Sequence, residues 1–326
     1  MSAAPVRLGT RRSPMATAQS QQVADAITAY TGTPVDLVLV TSFGDVTRAH
    51  LTQLGGTGVF VNALRDELLS GSIDIAVHSL KDLPTTPAEG LGLVAITERE
   101  DPRDALCARD GLKFADLPSG ARVGTGSPRR AAQLARQRPD LEFVPIRGNA
   151  GTRLDKVASG EVDAVVLAYA GLVRVGRTDD ITDVFEPELL LPAPGQGALA
   201  VECRTERAVP RDLGPLGAVD DGRTRAAVTA ERVVLAELEA GCAAPVGAYA
   251  ECHDDRLRLR AAVVATDGSR AIHREGVVSI EGGDTGDITE TATGLARQLA
   301  REMVEEGADR IVADAGARTG APSPEV

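Results

Sequence analysis

The chain has 326 residues, is 43% apolar and only 2% aromatic with no Trp, and carries a formal net charge of -12. That length and apolar content exclude a disordered chain and suit two or three packed domains. The acidic balance argues against a nucleic-acid or anionic-membrane partner, since either needs a broad basic surface. None of the four cysteines forms a CxxC pair and the four histidines lack metal-ligand spacing, so no metal site or disulfide framework is expected. With no apolar leader at Met1–Thr10 and no membrane-length run, a cytoplasmic protein is expected.

In chain order, Val6–Thr10 reads as a strand, Ser13-Pro14 as the cap and first position of a helix reaching Tyr30, and Val35–Val40 as a second strand. A glycine-rich loop at Gly55–Gly58 leads into a helix over roughly Phe60–Leu69, followed by a buried strand at Ile73–Val77. The pattern then returns. Arg7-Leu8-Gly9-Thr10 with Ser13-Pro14 is echoed by Arg122-Val123-Gly124-Thr125 with Ser127-Pro128, and the segment 71–77 is echoed by 160–166. Two domains of one α/β type follow, with a polar crossing at Ala95–Asp104 and a strand at Leu199–Cys203 that returns to the first domain.

From Thr224, read as a helix cap, the style changes. Three alternating strands near 245–253, 256–265 and 270–279, with an Asp267-Gly268 turn, predict a small antiparallel sheet. A last helix places Ile288, Ala292, Leu295, Leu299 and Met303 on one stripe and ends at Gly307. The expected organisation is domain 1 over 1–99 and 199–218, domain 2 over 100–198, an α+β domain 3 over 222–314, and a disordered tail over 315–326.

Arginines cluster where strands give way to helices. Arg11 precedes the Ser13-capped helix, Arg129 and Arg130 open the Ser127-capped one, Arg147 and Arg153 flank a Gly-rich turn, and Arg174 follows the strand at 162–167. A cation in a helix's first turn opposes the macrodipole, so it fits best where an anion binds. Surface salt bridging is the other reading of each arginine taken singly. In Val77–Pro84, Lys81 and Asp82 follow a buried strand, pairing an anion-binding cation with a carboxylate able to stabilise positive charge. Cys242 lies in a loop of small residues, as a nucleophile or as a small buried thiol. His78, Cys107, Cys203 and Cys252 read as structural.

Eight stretches together resemble the porphobilinogen deaminase family from Val6 to about Ala313: RLGTRRSPMA, DIAVHSLKDLP, EREDPRDAL, VGTGSPRR, RGNAGTRL, LAYAGLVRVG, PAPGQGALAVECR and AGCAAPVGAYA. The resemblance implies two periplasmic-binding-protein-like α/β domains plus a small α+β domain with a three-stranded antiparallel sheet. It implies a transferase that condenses four porphobilinogen molecules head to tail with loss of ammonia, on a dipyrromethane primer joined by thioether to Cys242, and then hydrolyses off hydroxymethylbilane.

By the same resemblance Asp82 is the catalytic residue, bonding pyrrole N–H groups and stabilising the cationic azafulvene-like species. Cys242, Ser79, Lys81, Asp82, Thr125, Ser127, Arg129, Arg130, Arg147, Gly148 and Arg153 are expected to hold the cofactor. Arg11, Ser13, Phe60, Arg147, Arg153 and Arg174 are expected to hold substrate. Arg130, Arg147 and Arg153 are assigned chiefly to growing-chain carboxylates, and Arg11, Lys81 and Arg174 to primer and incoming substrate. The chain departs from the family pattern at Thr57, Asn62, Gly126 and Pro128, the first two lowering the charge of the loop before the second helix. A monomer is expected. The other reading is a non-catalytic polycarboxylate sensor of the same fold, which would need neither Asp82 nor Cys242.

Overall fold

A computed structural model describes residues 4–40, 58–205, 216–241 and 244–319. In chain order the elements are β1 (Val6–Arg11), α1 (Pro14–Thr31), β2 (Val35–Val40), α2 (Gly58–Ser70), β3 (Ile75–Ser79), β4 (Leu91–Ile96), β5 (Asp104–Ala108), β6 (Arg122–Gly124), α3 (Pro128–Gln137), β7 (Glu142–Val144), α4 (Ala150–Ala158), β8 (Ala164–Ala168), α5 (Tyr169–Arg174), β9 (Asp183–Phe185), β10 (Leu199–Arg204), α6 (Gly222–Glu237), β11 (Val246–His253), β12 (Arg256–Val264), β13 (Ala271–Ser279), α7 (Thr285–Glu305) and α8 (Ala308–Thr319). The chain divides into two compact units, Met1–Glu100 with Ala198–Arg225, and Asp101–Gly197 with Ala226–Val326.

The first unit is a five-stranded sheet ordered β2-β1-β3-β10-β4. β1 runs parallel to β2 and β3, while β10 is antiparallel to both β3 and β4. Apolar residues at alternate positions face α1, with Val23, Ala24 and Ile27 closing over Leu8, Ile75 and Val201. On the other face α2 lays Leu64 and Leu68 against Ile73 and Ala76. The second unit holds a sheet ordered β7-β6-β8-β5-β9 with the same pattern, three parallel strands and an antiparallel crossing strand in fourth place. It also holds the antiparallel sheet β11-β12-β13, on which α7 packs Leu295, Leu299 and Met303. In β12, Leu257, Leu259 and Ala261 are buried while Arg256, Arg258 and Arg260 alternate with them.

Within each unit the two segments that the sequence repeats are joined by hydrogen bonds. Arg7 N donates to Asp74 Oδ2 at 2.9 Å and Asp74 N donates to Arg7 O at 2.9 Å. Arg122 N donates to Asp163 Oδ2 at 2.7 Å and Asp163 N donates to Arg122 O at 2.8 Å. Each aspartate thus ties the start of a sheet's second-position strand to the turn that feeds its neighbour.

Three expectations need correction. Arg11 is the last residue of β1, not part of the following turn. The cap of α6 is Asp221, whose Oδ1 accepts from Thr224 N at 2.6 Å, a carboxylate being the stronger acceptor at a helix start. Residues 315–319 are helical, because Ala308, Ile311 and Ala315 recur at helical spacing and are all buried. The rest of the expected tail, 320–326, lies outside the described residues.

Candidate functional site

In the first unit the candidate residues lie at the carboxyl edge of the parallel strands. β1 and β3 are neighbours in register, so Arg11 and Ser79 end on the same side. Ser13 caps α1, its Oγ accepting from Ala16 N at 3.1 Å, which leaves its own hydroxyl hydrogen to donate. Beyond Ser79 the chain makes one 3-10 turn, Leu80–Asp82. Leu80 and Leu83 are buried pegs, and Leu80 N donates to Ala198 O at 3.1 Å, so the turn between them presents Lys81 and Asp82 half-exposed. Among the described residues Asp82 has no ion pair.

Behind this turn lies a buried polar cluster. Glu202 on β10 accepts from Arg65 Nη2 at 2.9 Å and from Arg65 Nε at 3.1 Å, and His78 Nε2 lies 3.3 Å from its Oε2. Burial pushes the Glu202 carboxyl up, but the neighbouring His78 and the Arg65 guanidinium outweigh it and hold the group below the usual carboxylate range. His78 is buried against Glu202, on the strand that leads into the Leu80–Asp82 turn.

In the second unit the parallel strands β6, β7 and β8 direct their carboxyl ends to one edge, and antiparallel β5 starts there, Asp104 pairing with Ala168. Thr125 Oγ1 accepts from Ser127 N at 3.2 Å, and Ser127 Oγ accepts from Arg130 N at 3.4 Å to cap α3. Arg129 and Arg130 are buried and engaged with Asp104, which is 0% exposed: Arg129 Nη2 donates to Oδ2 at 2.7 Å, and Arg130 Nε and Nη2 donate to Oδ1 at 3.0 and 2.7 Å. Burial pushes the Asp104 carboxyl up, yet the two guanidiniums override it and hold it far below the usual range. In the sequence alone Asp82 is the acidic residue that stands out. The match of EREDPRDAL held the signal for Asp104, whose partners lie 25 and 26 positions away.

After β7 the turn at Gly148 takes φ 114°, a conformation that favours glycine, and Asn149 caps α4 by accepting from Thr152 N at 2.9 Å. Arg153 Nε donates to Gly148 O at 2.8 Å, and Arg147 is exposed. Burial lowers the Arg153 pKa, and Arg130 and Arg147 push it the same way. Three guanidiniums are thus close enough to repel, and among the described residues no carboxylate offsets Arg147 or Arg153. Such a set fits a ligand bearing several carboxylates. Arg174 ends α5, its Nη2 donating to Gly197 O at 2.9 Å.

Cys242 and Thr57 lie outside the described residues, and so does the side chain of Phe60, whose backbone is in the first turn of α2. Glu231 on α6, fully buried, accepts from Gly195 N and from Ala250 N on β11, each at 2.7 Å. Cys107 and Cys203 are buried strand residues, and burial pushes the Cys107 thiol up to about 12. Among the described residues there is no metal-binding cluster of His, Cys, Asp and Glu and no helix long and apolar enough to cross a membrane.

Each unit is thus an α/β layer with polar residues at the carboxyl ends of its parallel strands, a half-exposed carboxylate in the first and grouped guanidiniums in the second. Comparison with known proteins makes this specific. Residues 6–211 match the family model of the porphobilinogen deaminase dipyrromethane cofactor binding domain, and 225–305 match that of the porphobilinogen deaminase C-terminal domain. The porphobilinogen deaminase of Thermobifida fusca is 71% identical over 98% of this chain and 99% of its own length. Porphobilinogen deaminase 1 of Streptomyces coelicolor is 55% identical over 95% and 98%. Among solved structures, a periplasmic substrate-binding protein of an ABC transporter from Coxiella burnetii is 15% identical, with a TM-score of 0.42 over 66% of this chain and 91% of that one. The chain belongs to the porphobilinogen deaminase family. It is an enzyme of the transferase class with that family's dipyrromethane cofactor-binding domain.

Proposed function

We propose that the chain condenses four porphobilinogen molecules head to tail with loss of ammonia, on a dipyrromethane joined by thioether to Cys242, and then releases the linear tetrapyrrole by hydrolysis. The observation that carries this reading is the cluster of Arg130, Arg147 and Arg153, the last two with no carboxylate partner among the described residues, in a chain of net charge -12. It suits a cofactor and product in which every ring bears an acetate and a propionate. When bound, the cofactor supplies the covalently held pyrrole end to which substrate is joined.

The chain's own residues have distinct tasks. Asp82, half-exposed at the end of β3 and without an ion pair among the described residues, accepts hydrogen bonds from pyrrole N–H groups and stabilises the positive charge that develops as the substrate amine leaves. Arg11, Ser13, Lys81 and Arg174 bind carboxylates of primer and incoming substrate. Arg130, Arg147 and Arg153 hold those of the growing chain, with Ser79, Thr125, Ser127 and the backbone at Gly148 as neutral donors. Arg129 supports this set from below through Asp104. Phe60 lies against the pyrrole rings.

The protein is read as a cytoplasmic monomer of three domains, 1–99 with 199–218, 100–198 and 222–314, with no nucleic-acid or membrane partner. Intact-mass spectrometry of active protein tests the central assignment. The expected result is a single added mass, equal to the dipyrromethane, that maps to Cys242. Active protein with an unmodified Cys242 would overturn it.

A further inference from the structure

We propose that Asp104 is a positioning residue for the carboxylate-binding cations: it fixes the Arg130 guanidinium edge-on and so sets where the Arg130, Arg147 and Arg153 group holds a ligand. This rests on the reading of that group as the holder of cofactor and growing-chain carboxylates.

The donor inventory supports it. Arg130 spends Nε and one Nη2 hydrogen on Asp104 and one Nη1 hydrogen on Val166 O, at 3.0 Å, leaving two of a guanidinium's roughly five N–H donors for a ligand. Arg129 spends Nη2 on Asp104 and Nη1 on Leu191 O, at 2.6 Å. Gln196 Nε2 adds a further bond to Asp104 Oδ1 at 2.8 Å and is itself tied to Pro102 O at 2.7 Å. Both oxygens of the carboxylate are thus held, by α3 and by Gln196 of the 192–197 segment.

One carboxylate between two guanidiniums leaves one positive charge in place. Asp104 therefore does not neutralise the site, since Arg153 still feels Arg130. It allows two arginines to occupy the first turn of one helix, where the macrodipole opposes them, and it fixes their orientation. A purely electrostatic role and a positioning role differ in sign. Removing a negative charge should strengthen the hold on carboxylates in the first case and weaken it in the second.

The test compares wild type with Asp104→Asn by intact mass, reading the fraction of chains carrying the cofactor and the lengths of pyrrole chains trapped during turnover. Positioning predicts about a tenfold lower loaded fraction, the size expected for losing charge-assisted bonds, and shorter trapped chains. Equal or higher loading with longer trapped chains would show an electrostatic role and overturn the proposal. So would full loading and a normal series in a protein that merely melts earlier. If Asp104→Asn does not fold, Gln196→Leu removes one brace and no charge; a loaded fraction reduced about twofold is expected, and full loading overturns the proposal. Arg147→Ala and Arg153→Ala serve as the control for the underlying reading. If both load fully with a normal series, it is the carboxylate assignment of the cluster that fails.

Discussion

The guanidinium of Arg65 on α2 grips the carboxylate of Glu202 on β10, Nη2 at 2.9 Å and Nε at 3.1 Å, behind the strand that delivers Asp82. The pair is buried, with side-chain exposures of 14% and 3%. Arg65→Met leaves Glu202 charged and unpaired beside only His78, and is expected to cost about 3–5 kcal/mol of folding stability. Urea unfolding of the two proteins checks it, and an unchanged midpoint would contradict it.

Asp82→Asn should behave in the opposite way. The residue is half-exposed and has no ion pair among the described residues, so the melting temperature should stay within a degree or two of wild type. Turnover should fall by about 10²–10⁴-fold, because amide cannot supply the charge that the departing amine calls for. Steady-state kinetics beside a thermal melt separates the two outcomes.

Gly247→Ala is expected to destabilise the protein by about 1–3 kcal/mol through overpacking. A Cβ there would lie 2.8 Å from Leu191 Cβ and 2.9 Å from both Leu191 O and Gln133 Nε2. Backbone and a bonded amide form two of these contacts and have little room to give. Calorimetry would register the loss, and near wild-type stability would show that β11 shifts freely.

Acid should unfold the protein in two stages. His273, an exposed residue of β13, is held below its ordinary value by partial desolvation and by Arg136, so the folded state takes up its proton slightly later than the unfolded chain and solvent screening keeps the effect small. Its contribution is present above about pH 6.5 and wanes below it. In Asp74, Asp101, Asp104 and Glu202 burial acts upward, but partner bonds prevail and depress all four. Their contribution is intact above about pH 4 and is lost as pH falls further. Urea midpoints from pH 3 to 8 should show a shallow decline and then a steep one, and His273→Gln should remove only the first.

Much of the fold was legible because its signals are local. Ser13 and Ser127 each followed by proline mark helix starts, and alternating arginines in 256–260 mark a half-exposed strand. The echoed segments at 71–77 and 160–166 foretold two like sheets, and the Asp74 and Asp163 bonds supply the physical reason. What stayed hidden is long-range. Asp104 finds Arg129 and Arg130 only when β5 lies antiparallel to β8, and Glu202 meets Arg65 across 137 positions. Tail residue Ala315 looked like part of a loose terminus because its buried partners come from a helical spacing too short to stand out.

Among the described residues of the first sheet, β4 has no hydrogen-bonded neighbour except β10, and β10 is what covers the edge of β3. The strand that completes the layer is encoded about a hundred residues after the one it anchors. A ribosome working at about 5–20 residues per second therefore leaves β3 with an open, apolar edge and β4 unpaired for roughly 5–20 seconds. Through that interval the nascent chain has an aggregation-prone border that the finished molecule lacks, and the turn bearing Asp82 waits for Ala198 to receive the amide of Leu80. The Asp82 carboxylate is thus synthesised early but set in place late.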